Sequence, residues 1–156
     1  MSAYINYYQL PLGSIGIIEE NEMLTAVFFA KEQSEIAAIH QETPLIKKAY
    51  TQLKEYFDGK RKTFNLPLAP QGTLFQQKVW QALQSIPYGS TKSYKDIAQQ
   101  IDNDKSLRAV GNANHRNPII IIIPCHRVIG SNGNLVGYAN GLDKKIKLLQ
   151  LEKSHS

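Results

Sequence analysis

One cysteine occurs in this chain of 156 residues, and the residues around it are suited to nucleophilic chemistry. Cys125 follows five consecutive isoleucines and Pro124, and it is followed by His126 and Arg127. A thiol becomes a thiolate near neutral pH only where its neighbours lower its pKa from about 8.5, and a base and a cation are such neighbours. Because proline has no N–H to donate to a sheet, Pro124 predicts that Cys125 lies at a turn.

A structural role for Cys125 is the alternative, since free cysteines often pack as small buried hydrophobic residues. Such a thiol would gain nothing from His126 and Arg127, which favours the reactive interpretation. Side chains of adjacent residues point to opposite faces of an extended strand. A His126 that acts as a base therefore requires a helical turn or a bridging water molecule, and a His126 packed in the core is the remaining alternative.

Charge is distributed unevenly along the chain, whose net charge is +5. Residues 1–68 hold 7 Lys/Arg and 8 Asp/Glu, a net charge of −1, whereas residues 69–156 hold 11 Lys/Arg and 5 Asp/Glu, a net charge of +6. The basic C-terminal half favours an anionic partner such as a nucleic acid, and a solvated basic surface is the alternative.

The cellular location is predicted from the cysteine count and from the apolar runs. A single cysteine forms no internal disulfide bond and is too few for a thiolate zinc site, which favours a reducing compartment. No apolar run approaches the roughly 18 residues of a membrane span, and the N-terminus lacks the pattern of a secretory signal. We therefore expect a cytoplasmic protein with no membrane partner.

The first half of the chain predicts a small sheet and one helix. Residues 3–10, 14–20 and 23–31 are rich in β-branched and aromatic residues and predict an antiparallel meander. A helix is predicted from Thr43, as its cap, to Gly59, with an apolar repeat at Leu45, Ala49, Leu53 and Phe57. Prolines and a glycine then interrupt the chain, which predicts two domains, 1–70 and 71–156.

The second half predicts a helix-turn-helix. Thr73 and Gln76 have capping-box spacing before a helix whose predicted buried face is Leu74, Val79, Trp80 and Leu83. A second helix is predicted from Ser93 and Asp96, and a third after the polar break at 102–106. That third helix ends at Asn117, since the residue before a proline is pushed out of the α region.

The segments around the cysteine complete the predicted domain. The isoleucine run at 119–123 and residues 127–130 predict buried strands or near-strand segments. Asn132-Gly133 predicts a hairpin turn with 135–138 as the returning strand, and residues 141–152 predict an amphipathic helix. The whole is an α+β fold: a small N-terminal antiparallel sheet with a helix, then a winged helix-turn-helix-like domain that carries the active-site cysteine.

The segment 123–152, together with "RAVGNANHRNP" and "SYKDIA" upstream, resembles the O6-alkylguanine-DNA alkyltransferase family, also called methylated-DNA-protein-cysteine methyltransferases. The Pro-Cys-His-Arg-Val core is highly specific to this family, and the resemblance is dense over residues 73–152. The first half matches it only in general character. The resemblance implies direct-reversal DNA repair, in which the alkyl group of O6-alkylguanine, and of O4-alkylthymine, moves irreversibly to Cys125 in a single turnover.

The resemblance also implies roles for residues far from Cys125. His126 takes the thiol proton through a water, and Glu152 orients this relay. Tyr94 donates a hydrogen bond to a guanine ring nitrogen, and Asn117 ties the turn after the third helix to the active-site segment. Other residues form the substrate pocket, with backbone groups of Cys125, Val128 and Ala139 bonded to guanine: Val128, Tyr138, Ala139 and Asn140.

Double-stranded DNA with an alkylated guanine is the implied partner, contacted from the minor groove by a monomer. Arg108 fills the space that the flipped base leaves, since a planar cation stacking on the neighbours recovers part of the cost of extrusion. The helix after Arg108 is rich in small residues, which lets backbone approach DNA closely but gives little to read base edges in the major groove. The implied DNA-binding residues are Ser93, Tyr94, Arg108, Ala109, Gly111 and Asn112.

Two features depart from the family pattern or restrict it. Ala139 and Asn140 occupy positions that vary among members and that line the alkyl pocket. The resemblance therefore makes no prediction about whether this protein accepts alkyl groups larger than methyl. Some members carry an N-terminal zinc site built from cysteines and histidines, and this chain lacks those cysteines, so we predict no metal and no cofactor. The alternatives to transfer are a module that binds alkylated DNA without repairing it, a winged-helix regulator and a thiol hydrolase, and Cys125 argues against the first two.

Overall fold

The computed structural model describes residues 2–30, 36–101, 107–133, 138 and 140–156. The chain folds into two compact units, Met1–Gln71 and Gly72–Ser156. Within the described ranges, no helix is both long enough and apolar enough to cross a membrane.

The N-terminal unit is a four-stranded sheet with one helix. Strands β1 (Ala3–Leu10), β2 (Gly13–Glu20) and β3 (Met23–Phe29) form the predicted antiparallel meander, and the short β4 (Ile39–His40) adds to β1 in parallel, giving the order β3-β2-β1-β4. Helix α1 (Pro44–Phe57) packs against β1 and β2.

Helix α1 begins and ends where the sequence predicts, but its buried face is rotated. The Thr43 hydroxyl accepts from the Ile46 amide at 3.1 Å, as an N-cap does. The buried residues are Ile46, Ala49, Gln52, Leu53 and Tyr56, whereas the predicted Leu45 and Phe57 are only half-buried. The prediction counted apolar residues alone, and the Gln52 side chain is buried because it bonds with the backbone of Asn65 at 3.0 and 3.3 Å.

Three helices of the C-terminal unit pack against one another. They are α2 (Leu74–Gln84), α3 (Tyr94–Gln100) and α4 (Leu107–His115). Both predicted capping boxes are present, Thr73 with Gln76 and Ser93 with Asp96. The Trp80 indole donates to the Ala113 carbonyl at 2.8 Å and joins α2 to α4. Leu74 is an incorrect prediction: it is 85% exposed, because helical spacing places it on the side of α2 opposite the face that Val79, Trp80 and Leu83 bury.

The isoleucine run is a buried turn, and the predicted strand is wrong. All five isoleucines are buried, but residues 120–122 form a turn in which Ile121 has a φ of +69°. The Ile123 amide donates to the Ile119 carbonyl at 3.1 Å, so the chain closes on itself between two prolines. Positive φ is costly for a β-branched residue, roughly 1–2 kcal/mol, and dense packing around the turn holds it there.

Two short strands and a long helix complete the C-terminal unit. Strand β5 (Lys92–Ser93) lies directly before α3 and pairs in parallel with β6 (Val128–Ile129), and α5 (Leu142–His155) closes the unit. Gly133 has a φ of +83°, which suits a tight turn. The polar break at 102–106 and the returning strand of the predicted wing lie largely outside the described residues.

Candidate active site

Cys125 lies at the start of a single 3₁₀ turn, Cys125–Arg127. Its amide donates to the Ile123 carbonyl at 2.8 Å, and the Val128 amide donates back to the Cys125 carbonyl. Of the alternatives open from the sequence, the helical turn is the one present, so Cys125 and His126 are not on opposite faces of a strand. Cys125 is 4% exposed, and burial raises the pKa of its thiol.

His126 and Arg127 both turn toward Glu152 of α5. The His126 Nε2 atom lies 2.6 Å from Glu152 Oε2. Arg127 donates to both carboxylate oxygens, from Nε to Oε1 at 2.8 Å and from Nη2 to Oε2 at 3.0 Å. The carboxylate is 1% exposed and also accepts from the Gly89 amide at 3.2 Å. Arg127 is therefore not the cation beside the thiol that the sequence predicts; it neutralises Glu152.

These contacts set the protonation of the cluster. Burial alone would raise the pKa of Glu152, but the hydrogen bonds from His126 and Arg127 and the charge of Arg127 outweigh it and lower that pKa to about 2. Burial lowers the pKa of His126 despite the opposing effect of Glu152. At neutral pH the cluster therefore holds an ionised carboxylate and a neutral imidazole.

The second nitrogen of His126 is available for proton transfer. The ring is fully buried, and because Nε2–H donates to Glu152, Nδ1 carries the lone pair. Nδ1 has no hydrogen-bond partner among the described residues. A buried acceptor without a partner is unusual, and here it is the nitrogen able to receive a proton.

Two asparagines fix the backbone on either side of the thiol. The Asn117 side chain donates to the Ile123 carbonyl at 2.7 Å and accepts from the Ile119 amide at 3.0 Å, which closes the isoleucine turn. Asn114 Nδ2 donates to the Cys125 carbonyl at 3.4 Å. Asn117 is also close enough to the thiol to lower the pKa of Cys125, which opposes the larger effect of burial.

Two tyrosines border the thiol. Burial and the adjoining Cys125 raise the pKa of both Tyr94, the first residue of α3, and Tyr138. Both phenols therefore stay protonated and able to donate at neutral pH. Val128 is buried in β6, Asn140 lies beside Tyr138, and Ala139 lies outside the described residues.

A groove of about 470 Å³ runs along α4 beside Tyr94. Its lining includes four of the predicted DNA-binding residues, Tyr94, Arg108, Gly111 and Asn112. Ser93 is the N-cap of α3, where its hydroxyl accepts from the Asp96 amide at 3.0 Å, and Ala109 lies in α4. The exposed Arg108 thus shares this groove with Gly111, Asn112 and Tyr94, one of the two tyrosines that border the thiol.

Two residues at the site were missed by sequence reasoning. Asn114 received no predicted role, although its place three residues before Asn117 puts both asparagines on the inner side of that helix end. Lys145 also received no predicted role, but it is fully buried and its Nζ donates to the Val128 carbonyl at 2.5 Å. A polar residue in phase with Leu148 and Glu152 was the available signal for Lys145.

Both halves of the chain match models of one family. Residues 74–154 match the DNA-binding domain of 6-O-methylguanine DNA methyltransferase, and residues 3–70 match its ribonuclease-like domain. The constitutive methylated-DNA–protein-cysteine methyltransferase of Bacillus subtilis is 49% identical over 96% of this chain and 96% of that protein. The methylated-DNA–protein-cysteine methyltransferase of Methanosarcina acetivorans is 48% identical over 97% of this chain and 99% of that protein.

Solved structures agree with this match. The structure of Mycobacterium tuberculosis OGT in complex with DNA has a TM-score of 0.91 and 41% identity, covering 98% of this chain and 94% of that one. A structure of the Mycobacterium tuberculosis O6-methylguanine methyltransferase has a TM-score of 0.89 and 40% identity, covering 99% and 94%. The resemblance predicted from the Pro-Cys-His-Arg-Val segment is confirmed, and this chain belongs to the 6-O-methylguanine DNA methyltransferase family.

Proposed function

We propose that this protein repairs DNA by moving the alkyl group of O6-alkylguanine, and of O4-alkylthymine, to Cys125. The thiol sulfur attacks the alkyl carbon, the new S–C bond forms as the O6–C bond breaks, and guanine leaves with the electron pair of that bond. The thioether that results has no route back to a thiol, so each molecule acts once. The proposal requires no metal and no cofactor.

Proton transfer in this proposal follows the buried cluster. His126 Nδ1 takes the thiol proton through one water, and the ionised Glu152 stabilises the imidazolium that forms. Tyr94 donates to the ring nitrogen of guanine, which neutralises the charge on the leaving base. Overall, the thiol gives one proton to His126 and guanine gains one from Tyr94, and return of the proton from His126 to Tyr94 through water restores both side chains, so charge and atoms balance.

The substrate is double-stranded DNA, approached from the minor groove by a monomer. Arg108 enters the base stack as the alkylated nucleotide turns out, and the small residues of α4 let the helix backbone approach the groove closely. Ser93, Ala109, Gly111 and Asn112 lie against the DNA backbone in this arrangement. Affinity comes mainly from phosphate contacts and falls as salt rises. The cytoplasm is the proposed location, since its reducing conditions keep the thiol free.

The observation that carries this proposal is the proton-accepting Nδ1 of a buried His126 whose other nitrogen is held by Glu152, one residue from the thiol. A module that only binds alkylated DNA has no use for a buried base of this kind. A regulator would need long polar side chains on α4, where Ala109, Gly111 and Ala113 stand instead.

Mass spectrometry tests the transfer directly. We expect incubation with a duplex oligonucleotide containing O6-methylguanine to add one methyl group to the Cys125 peptide, in a 1:1 ratio with the guanine restored. An unmodified duplex is the control. If the protein binds the alkylated duplex and Cys125 stays unmodified, the transfer proposal is wrong.

Arg108→Ala tests the proposed base extrusion. Extruding a base costs a few kcal/mol, so we expect this variant to repair duplex DNA roughly 10- to 100-fold more slowly while reacting with free O6-methylguanine as the parent protein does. Arg116→Ala is the matched control, because Arg116 is also exposed and its loss removes the same charge. Equal losses on duplex and free base would rule out insertion of Arg108.

A further inference from the structure

The turn between α2 and β5 contacts both members of the buried charge pair, and the proposed reaction gives this turn no role. It comprises residues 86–89. The Ile86 carbonyl accepts from Arg127 Nη1 at 2.7 Å, and the Gly89 amide donates to Glu152 Oε1 at 3.2 Å. One short segment is therefore bonded to the guanidinium and to the carboxylate.

Tyr88 lies between these two contacts and places its ring over Arg127. The Cζ atom of the guanidinium is 5.7 Å from the centroid of the ring. A cation within about 6 Å of an aromatic face is attracted to it, and the attraction is larger where water is excluded. Water is largely excluded here, since Arg127 is 6% exposed and Glu152 is 1% exposed. The ring occupies space beside the guanidinium that water would otherwise fill.

The charge pair determines how readily His126 takes a proton. Glu152 favours the protonated imidazole, whereas burial, which is the largest effect, and the charges of Arg127 and Lys145 oppose it and lower the pKa of His126. Helix α2 also packs against the 3₁₀ turn, and its one charged residue, Lys78, is exposed. Within the described part of the site, the balance at His126 therefore depends on Glu152, Arg127 and Lys145.

Loosening the pair would shift this balance in one direction. If Arg127 moves away from Glu152, the carboxylate charge acts on His126 with less opposition, and water that reaches the cluster reduces the effect of burial. Both changes raise the pKa of His126. Cys125 adds no opposing charge before transfer, because burial raises the pKa of its thiol. A histidine that is already protonated cannot take the thiol proton, so the acid limit of transfer would move to higher pH.

We propose that Tyr88 is a positioning residue of the alkyl transfer: its ring holds Arg127 against Glu152 and keeps water from the pair, so that His126 is unprotonated when the thiol proton leaves. The role in transfer rests on the proposed function, whereas the effect on His126 is a property of the free protein. Tyr88 acts through the charge pair and keeps its own proton, since burial raises its pKa.

An NMR titration of His126 measures this effect without any substrate. The imidazole signal is assigned through the backbone of the 3₁₀ turn, and the other three histidines are exposed. We expect Tyr88→Leu to raise the titration midpoint of His126 by about one unit, because the imidazolium is then less opposed. Tyr88→Phe keeps the ring and should titrate as the parent protein does. The matched control, Tyr4→Leu, makes the same change at a half-buried position of β1 and should leave the midpoint unchanged.

The pH profile of transfer separates positioning from a merely structural role. A variant with a weakened fold would lose rate by a similar factor at every pH. We expect instead that the acid limb of Tyr88→Leu moves upward with the His126 midpoint. Its rate should be about tenfold below the parent rate on that limb and equal to it about two units higher, since one unit corresponds to a factor of ten. Tyr88→Phe should keep the parent profile.

A third variant decides the case in which Tyr88→Leu does not fold. A trifluorinated phenylalanine at position 88 is close in shape to phenylalanine but weakens the attraction of the ring for a cation, so its His126 midpoint should lie above that of Tyr88→Phe.

Three results would contradict the proposal or its parts. A His126 midpoint equal to that of the parent protein in folded Tyr88→Leu would overturn it, as would equal midpoints for the two ring variants where Tyr88→Leu is unfolded. A raised midpoint with a uniform loss of rate at every pH would overturn the role in transfer. If the parent protein transfers no methyl group but the midpoint shifts, the proposed function alone fails.

Discussion

Replacement of Cys125 by serine is expected to abolish alkyl transfer and to leave binding of the alkylated duplex nearly unchanged. A hydroxyl is a far weaker nucleophile than a thiolate, and burial disfavours ionisation of the serine hydroxyl further. Serine is close to cysteine in size, and the groove along α4 does not include residue 125. Transfer of labelled methyl and fluorescence anisotropy at one fixed salt concentration measure the two properties separately.

This variant also distinguishes the repair enzyme from a binding module. If Cys125→Ser loses binding as severely as transfer, the side chain is part of the binding surface or of the fold, and thermal unfolding identifies which. Residual transfer at the parent rate would mean that another residue accepts the alkyl group. The exposed Ser154, in the last turn of α5 and outside the groove, gives the control Ser154→Ala, expected to keep full transfer.

Glu152→Gln is expected to lower both the stability of the C-terminal unit and the rate of transfer. The carboxylate accepts from His126, Arg127 and the Gly89 amide, and a glutamine offers one oxygen in place of two. Removing one partner of a buried ion pair costs about 3–5 kcal/mol, because the Arg127 guanidinium stays buried without its counter-charge. We expect thermal unfolding to shift downward by roughly 10 °C.

Two variants test the cause of that loss. Glu22→Gln makes the same chemical change at an exposed position and should leave the unfolding temperature unchanged. Adding Arg127→Met to Glu152→Gln removes the unpaired charge, so the double variant should lose less than the sum of the single losses. An unfolding temperature within about 2 °C of the parent value for Glu152→Gln would contradict this explanation.

The same carboxylate gives the parent protein a defined response to acid. Because the pKa of Glu152 is lowered to about 2 from 4.5, its contribution to stability is present above about pH 4.5 and is lost as the pH falls toward 2. The pKa of the buried His126 is also lowered, so acid reduces stability at higher pH through this residue. Its imidazole takes up a proton near pH 6.5 in the unfolded chain but stays neutral there in the folded protein. Glu152→Gln should therefore lose less stability than the parent protein between about pH 5 and pH 3, as measured by denaturant unfolding at the two pH values.

Local signals in the sequence predicted much of the fold. Both capping boxes and the N-cap of α1 depend on residues three positions apart, and such contacts are decided within one turn of helix. The isoleucine run failed for the opposite reason. Five β-branched residues favour a strand, and the Asn117 side chain, which closes the turn instead, acts through contacts that propensity does not include.

The sequence predicted the nucleophile of the site but not which charged side chains pair with each other. Cys125 and His126 were recognisable from their neighbours, but Glu152 was assigned through the family resemblance alone. Arg127, two residues from the thiol, is not the cation beside it, because its guanidinium pairs with Glu152, which lies 25 residues further along the chain. This pairing is determined by the packing of α5 against the 3₁₀ turn, which local sequence does not encode.

Helix α5 also restricts how this chain can change in length. Lys145 and Glu152 are seven residues apart, which is about two helical turns and roughly 10 Å of rise. An insertion or deletion of one residue between them would rotate one charge by about 100° relative to the other and turn it away from the 3₁₀ turn. Exposed positions between them, such as Lys147 and Gln150, are open to substitution. Natural variation in this segment is therefore expected to replace residues while keeping their number.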